Sequence, residues 1–153
     1  WQQRPESTGF VKIRSDNPFD KPIIQPNYLS APEDQKVCVQ GIRLARKLMH
    51  SEALSKYLDH ELYPGKNVGN DYEELLEIAR ERGLTCYHQM GTCKMGPNTD
   101  KTAVVDNKLK VYGIDGLRVI DASIMPTMLS ANLNAGAMMI GEKGSDMILK
   151  ENF

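Results

Sequence analysis

Three cysteines in 153 residues, Cys38, Cys86 and Cys93, are an odd and sparse set. They cannot form the disulfide framework that stabilises small secreted domains, and reduced thiols are their simplest state. One-sided charge is missing too. The formal net charge is −1 and the Lys and Arg residues are scattered, so there is no basic field for nucleic acid or for an anionic membrane surface. No apolar run approaches the roughly 20 residues a bilayer-spanning helix needs. Internal repeats and low-complexity tracts are absent. No signal-peptide pattern follows Trp1, so a mature or truncated start is the expectation and the parent's destination stays open. The most telling absence is a Gly-rich G-x-G-x-x-G turn, of which there is no copy; these residues carry no nucleotide-binding fingerprint of that kind.

With 41% hydrophobic residues, the chain is long enough to bury one ordinary core. Gly9 to Arg14 alternates and is rich in β-formers, which predicts a strand. Ser15 to Pro22 is dense in turn formers and predicts a loop. Ile23 to Leu29 should run extended around Pro26, because a residue before proline is pushed out of the α region. Pro32-Glu33-Asp34 opens a helix, with proline suited to the first turn and two acids facing the dipole. Val37, Gly41, Leu44 and Leu48 share one helical face; Arg43, Arg46 and Lys47 read as a solvated one. Asn70, with Glu73 three residues on, predicts the cap of a second helix. Its buried face is Tyr72, Leu75, Leu76 and Ala79, and Gly83 stands at its end.

The last third is less periodic. Short strands are expected at Val104–Asp106, Lys108–Val111 and Leu117–Ile120, the last a compact LRVI run suited to burial on both sides. A final helix should begin near Asn132 with a stripe of Leu133, Gly136, Ala137, Ile140, Gly144 and Met147. Its small residues fit two readings equally, close approach of a cofactor or tight packing against a neighbour.

Candidate chemistry gathers here. His88 sits between Tyr87 and Gln89, just ahead of Gly91-Thr92, where backbone can approach a ligand. An imidazole titrates near neutrality, so it can take and return a proton. Asn132 and Asn134 interrupt an apolar stretch at a helix start; they are either simple caps or polar groups facing a ligand. Asp121 ends the LRVI run, where open α/β sheets bind ligands, and is equally suited to capping the turn at Ser123. Cys86, His88 and Cys93 spell a soft-metal pattern. A closed zinc site wants four ligands, and no fourth lies nearby; no metal is expected.

Tyr87-His88-Gln89-Met90-Gly91-Thr92-Cys93-Lys94-Met95-Gly96, Val104-Val105-Asp106, Tyr112-Gly113 to Ser123, Met125-Pro126, Ser130 to Ala135 and Met139 to Lys143 follow one another in order. Together with Gly9 to Ile13, Ser15 to Pro18, Pro26 to Leu29 and Asp34 followed by Gly41-Ile42-Arg43, they resemble the glucose–methanol–choline oxidoreductase family. The flavour is that of its insect glucose-dehydrogenase-like branch. The resemblance implies an FAD-dependent enzyme acting on a small alcohol or sugar, without nucleic acid or membrane, and with an electron acceptor the residues do not reveal. It implies an α+β piece of a two-domain flavoenzyme: an antiparallel-sheet substrate domain with helices (1–100, carrying the catalytic His loop), then the last strand and helix of the FAD-binding α/β domain (101–153).

His88 then falls on the family's catalytic base and Asn132 on its second active-site residue. Asp121 and Ala122 match the segment against the ribityl–pyrophosphate side of the flavin, and Asn134 and Ala135 the helix start against the ring. Four positions depart from the common pattern. Ala131 to Gly136 reads Ala-Asn-Leu-Asn-Ala-Gly where many relatives have Gly-Asn-Thr-Asn-Ala-Pro, and Gln89 stands for a frequent proline. The amino-terminal nucleotide-binding unit is missing, so the chain alone should bind FAD poorly. A truncated product serving as a binding or structural module is the competing reading.

Overall fold

The computed structural model describes residues 2–152. The elements are α+β, and the described residues divide into two compact units, one up to Thr85 and one from Cys86 on.

In the first unit, β1 (Phe10–Lys12) and β2 (Ile23–Gln25) pair antiparallel, with Val11 opposite Ile24. The turn-rich loop between them is closed by its own polar side chains: Ser15 Oγ donates to Asp20 Oδ2 at 2.6 Å, and the Asn17 side chain bonds Asp20. Beyond β2 the chain turns rather than continuing extended. Asn27 and Leu29 take positive φ, and Leu29 thereby packs against the core of Val39, Leu75 and Leu76.

Helix α1 (Pro32–Met49) starts on Pro32 without a side-chain cap, and the short α2 (Glu52–Ser55) follows. Its buried face differs from the predicted one. Leu44 and Leu48 are 56% and 53% exposed, whereas Val39 is fully buried and Ile42 packs beside it. Arg46 also lies on the inner side. Its guanidinium pairs with both Glu61 oxygens, at 2.8 and 2.9 Å, and donates to the carbonyls of Val68 and Gly69 and to Asn70 Oδ1. The guanidinium thereby satisfies a loop, so a residue that reads as solvated is structural. The pairing holds the Glu61 carboxyl below its ordinary value.

Helix α3 (Tyr72–Arg82) is capped by Asp71, not Asn70: the Asp71 carboxylate accepts from the amides of Glu73 and Glu74. Asn70 is engaged by Arg46 and Arg43 instead. Leu75 and Leu76 face inward as expected, and Gly83 closes the helix by donating to Ala79 O at 2.8 Å.

A buried carboxylate ties the start of the chain to α1. Asp34, 3% exposed, accepts from the amides of Glu6 and Ser7 at 2.9 and 2.8 Å and from the Ser7 hydroxyl. Ser7 Oγ in turn accepts from Ala31 N–H.

The second unit is mostly irregular chain around one core of Val105, Leu109, Ile124, Met125, Leu133 and Ile140. The three predicted strands reduce to isolated bridges, Met95 to Val105, Val105 to Val111 and Lys110 to Arg118. The LRVI run is paired on one side only, by Val111 N–H to Leu117 O and Val119 N–H to Leu109 O, and Leu117 is exposed. Helix α4 (Asn134–Asn152) begins two residues later than Asn132, because Leu133 takes the entry position by entering the core. Its small residues are mainly packing residues. A Cβ on Gly144 would strike Ile120, and one on Gly136 would come within 2.8 Å of Leu129 and 2.9 Å of Met125; Gly141 alone faces open space. At the far end Glu151 joins Lys110 (3.0 Å) and Arg118 (2.5 Å).

Candidate functional site

His88 lies at the head of a loop fastened to the segment that carries Asp121 and Ala122. Three amides, Gly91, Cys93 and Met95, donate to the carbonyls of Ala122, Ser123 and Ile124 at 3.4, 2.9 and 2.8 Å. Alternate residues on one stretch thus bond successive residues on the other, a short ladder without regular strands. Gly91 makes the approach possible. Its φ is +82°, which favours glycine, and a Cβ there would lie 3.2 Å from Met125 O. Met90 packs against the core beside it. The loop that should carry a proton acceptor is thereby anchored immediately behind it.

Asp121 caps a short 3-10 turn, Ala122–Ile124, its carboxylate accepting from Ser123 N–H at 2.7 Å. The capping role expected of it is present, and its exposed position leaves the second carboxylate oxygen available to another partner. The turn packs against α4, and Ile124 and Met125 share the core with Leu133 and Ile140. Asn132 is exposed, just ahead of Leu133, and does not cap the helix. Asn134 and Ala135 are the first two helical residues and are exposed. Ala137 N–H bonds Leu133 O at 2.8 Å, so the amides of residues 134–136 precede the helical ladder and have no intrahelical acceptor. His88, Asp121 and Asn132 therefore stand on three stretches that meet in one core.

This surface fits one part of a flavin. The start of a 19-residue helix offers amide donors, a positive dipole end and small or amide side chains, suited to an electron-rich planar group. It offers no glycine-rich phosphate cradle, so contacts to a pyrophosphate and adenosine have to come from other polypeptide. A hollow of about 370 Å³ is lined by His60, Glu61, Leu62, Pro64, Gly65 and Lys66, and touches none of the candidate residues. Cys86, His88 and Cys93 form no metal-holding group among the described residues.

One feature escaped the sequence. The loop after His88 is pinned a second time by Asp100, which pairs with Lys94 Nζ at 2.7 Å and accepts from the amide and hydroxyl of Thr102 at 2.9 and 2.7 Å. Lys94, then Thr102, hold the Asp100 carboxyl well below its usual range. The spacing Asp100-x-Thr102 is an Asx-turn signal that could have revealed it.

Residues 5–141 match the family model described as GMC oxidoreductase. The chain is 47% identical over 145 residues to the mitochondrial choline dehydrogenase of Mus musculus, covering 95% of this chain and 24% of that protein. It is 42% identical over 147 residues to the alcohol dehydrogenase (acceptor) of Pseudomonas putida, covering 96% of this chain and 26% of that protein. Among solved structures, an FAD-dependent oxidoreductase from Chaetomium thermophilum superposes with a TM-score of 0.88 at 35% identity, over 99% of this chain and 26% of that one. The chain thus spans about a quarter of the length of the curated relatives it matches. These relatives mark the family as a whole, not an insect branch of it.

Proposed function

The chain belongs to the GMC oxidoreductase family, and on that premise we propose that it is the carboxy-terminal catalytic portion of an FAD-dependent oxidoreductase acting on CH–OH groups. In this reading residues 1–100 belong to the substrate-binding domain and 101–153 return to the FAD-binding domain. Asp121 and Ala122 lie along the ribityl–pyrophosphate side of the cofactor, with Asn134 and Ala135 against its ring. Bound FAD supplies the hydride acceptor. The His88 imidazole takes the substrate hydroxyl proton, and the Asn132 amide hydrogen-bonds the substrate oxygen. An amide cannot share proton duty, so His88 carries the base work alone.

The ladder from Gly91, Cys93 and Met95 to Ala122, Ser123 and Ile124 supports this reading most directly. It joins the proposed base loop to the proposed cofactor segment by backbone alone. The substrate is a small alcohol or sugar. Choline, an aliphatic alcohol and glucose, assayed on the full-length enzyme, separate a choline- or alcohol-directed protein from one of the insect glucose-dehydrogenase-like branch.

The competing reading, a module without catalysis, would find its support in the departures at Leu133 and Gly136. Leu133 is a core residue and Gly136 packs against Leu129 and Met125. Both departures have a packing cause and give that reading no support. In the full-length enzyme His88→Ala should lower kcat by about 10²–10⁴-fold, or roughly 3–5 kcal/mol, with FAD content unchanged. Near-normal turnover of that variant defeats the assignment.

A further inference from the structure

The loop that follows His88 is held from two sides, and Lys94 is where the two meet. On one side its chain neighbours Cys93 and Met95 donate their amides to Ser123 O and Ile124 O at 2.9 and 2.8 Å. On the other, Lys94 O accepts from Val104 N–H at 2.8 Å, and Gly96 N–H donates to Val105 O at 3.1 Å. The strip from Cys93 to Gly96 is thus the middle one of three. All three belong to the unit from Cys86 on.

A middle strip keeps its register only if the turn that brings Val104 back to it is fixed. Asp100 fixes that turn with both carboxylate oxygens. Oδ1 accepts from the amide and hydroxyl of Thr102 at 2.9 and 2.7 Å, which shapes the turn. Oδ2 pairs with Lys94 Nζ at 2.7 Å, which ties the turn to the strip. Main-chain bonds from Asp100 N–H to Pro97 O and from Ala103 N–H to Asp100 O complete it, at 2.9 and 3.0 Å. The Lys94 and Asp100 side chains are 29% and 32% exposed, and so open a pair adds little to global stability. Its effect is local: it fixes where Lys94 stands.

We propose that Asp100, acting through Lys94, is a positioning residue for His88. The inference rests on the proposed role of His88 as the base. His88 leads directly into the ladder that Gly91, Cys93 and Met95 make with Ala122, Ser123 and Ile124. A slip of that ladder therefore shifts the base loop against the segment of Asp121 and Ala122. A base displaced by about an ångström costs rate and leaves substrate affinity in place.

The test uses the full-length, FAD-loaded enzyme. Lys94→Met keeps the length of the side chain and removes its charge. Asp100→Asn keeps an oxygen for Thr102 and removes the anionic partner of Lys94. Each should lower kcat about tenfold or more at unchanged KM and FAD content, with the melting temperature hardly moved. On a His88→Ala background neither change should lower kcat further, since no base is left to place. Either variant within threefold of the parent overturns the proposal. So does a tenfold loss that persists on the His88→Ala background, which would mark a general fault in the fold. Should Asp100→Asn fail to fold, Lys94→Met decides alone. Normal turnover of His88→Ala removes the base and this proposal with it, whereas a crippled His88→Ala beside unaffected Lys94→Met and Asp100→Asn removes only the role of Asp100.

Discussion

The unit up to Thr85 and the unit from Cys86 hold their cores by opposite means. In the first, two regular helices meet over Val39, Leu75 and Leu76, and a single arginine satisfies the loop between them. In the second, a larger apolar cluster is wrapped by one long helix, α4, and by irregular chain whose backbone amides reach across at close range. Regular helices supply stiffness but aim few side chains at one point. Irregular chain on a firm core can present side chains from different directions. The difference teaches where to look for chemistry: in the unit with the less regular chain.

Three measurements sharpen the contrast. The largest effect belongs to the helical unit. Leu75 is fully buried between α1 and α3, so Leu75→Ala should cost about 3 kcal/mol in urea denaturation; a loss under 1 kcal/mol would mean that the two helices are not held by this cluster. In the irregular unit, overpacking should hurt more than its small size suggests. Gly144→Ala drives a methyl into Ile120 near that residue's branch point, and about 2 kcal/mol should be lost. An unchanged or raised midpoint would show that α4 can move away freely.

The smallest effect is in pH. Burial pushes the Asp34 carboxyl up, but bonds from the Ser7 hydroxyl, the Glu6 and Ser7 amides and Gln2 outweigh it and hold it below the ordinary value. A depressed carboxyl stabilises the fold fully above the unfolded value of about 4 and loses that contribution as pH falls through the lower folded value. Stability of the wild type should therefore decline below about pH 4 more steeply than that of Asp34→Asn. Parallel curves would show that the carboxylate does not matter.

The same contrast explains what could be read from residues alone. Helices α1 and α3 were legible because period, proline and acidic first turns agree. The buried side of α1 was not: counting apolar residues favours Leu44 and Leu48, and it cannot foresee that Arg46 is engaged by a loop. Asn70 and Asp71 are adjacent residues of similar capping strength, and the choice fell to Asp71 once Arg46 had engaged its neighbour. In the second unit the candidate residues were legible from ordered motifs, whereas the strands were not. The LRVI run makes only an isolated bridge, Lys110 to Arg118, with backbone bonds at Leu117 and Val119, too few to form a ladder.

The Asp34 clasp also sets a rule for where this polypeptide can be cut. A recombinant version trimmed past Ser7 would strip a sealed acid of its amide and hydroxyl donors at once. The carboxylate would then be left to water, and the tie between the start of the chain and α1 would be gone. Anyone expressing the helical unit by itself should begin no later than Gln2, whose side chain also bonds the carboxylate, and a shortened form with a lower melting temperature would be the sign that the clasp has been lost.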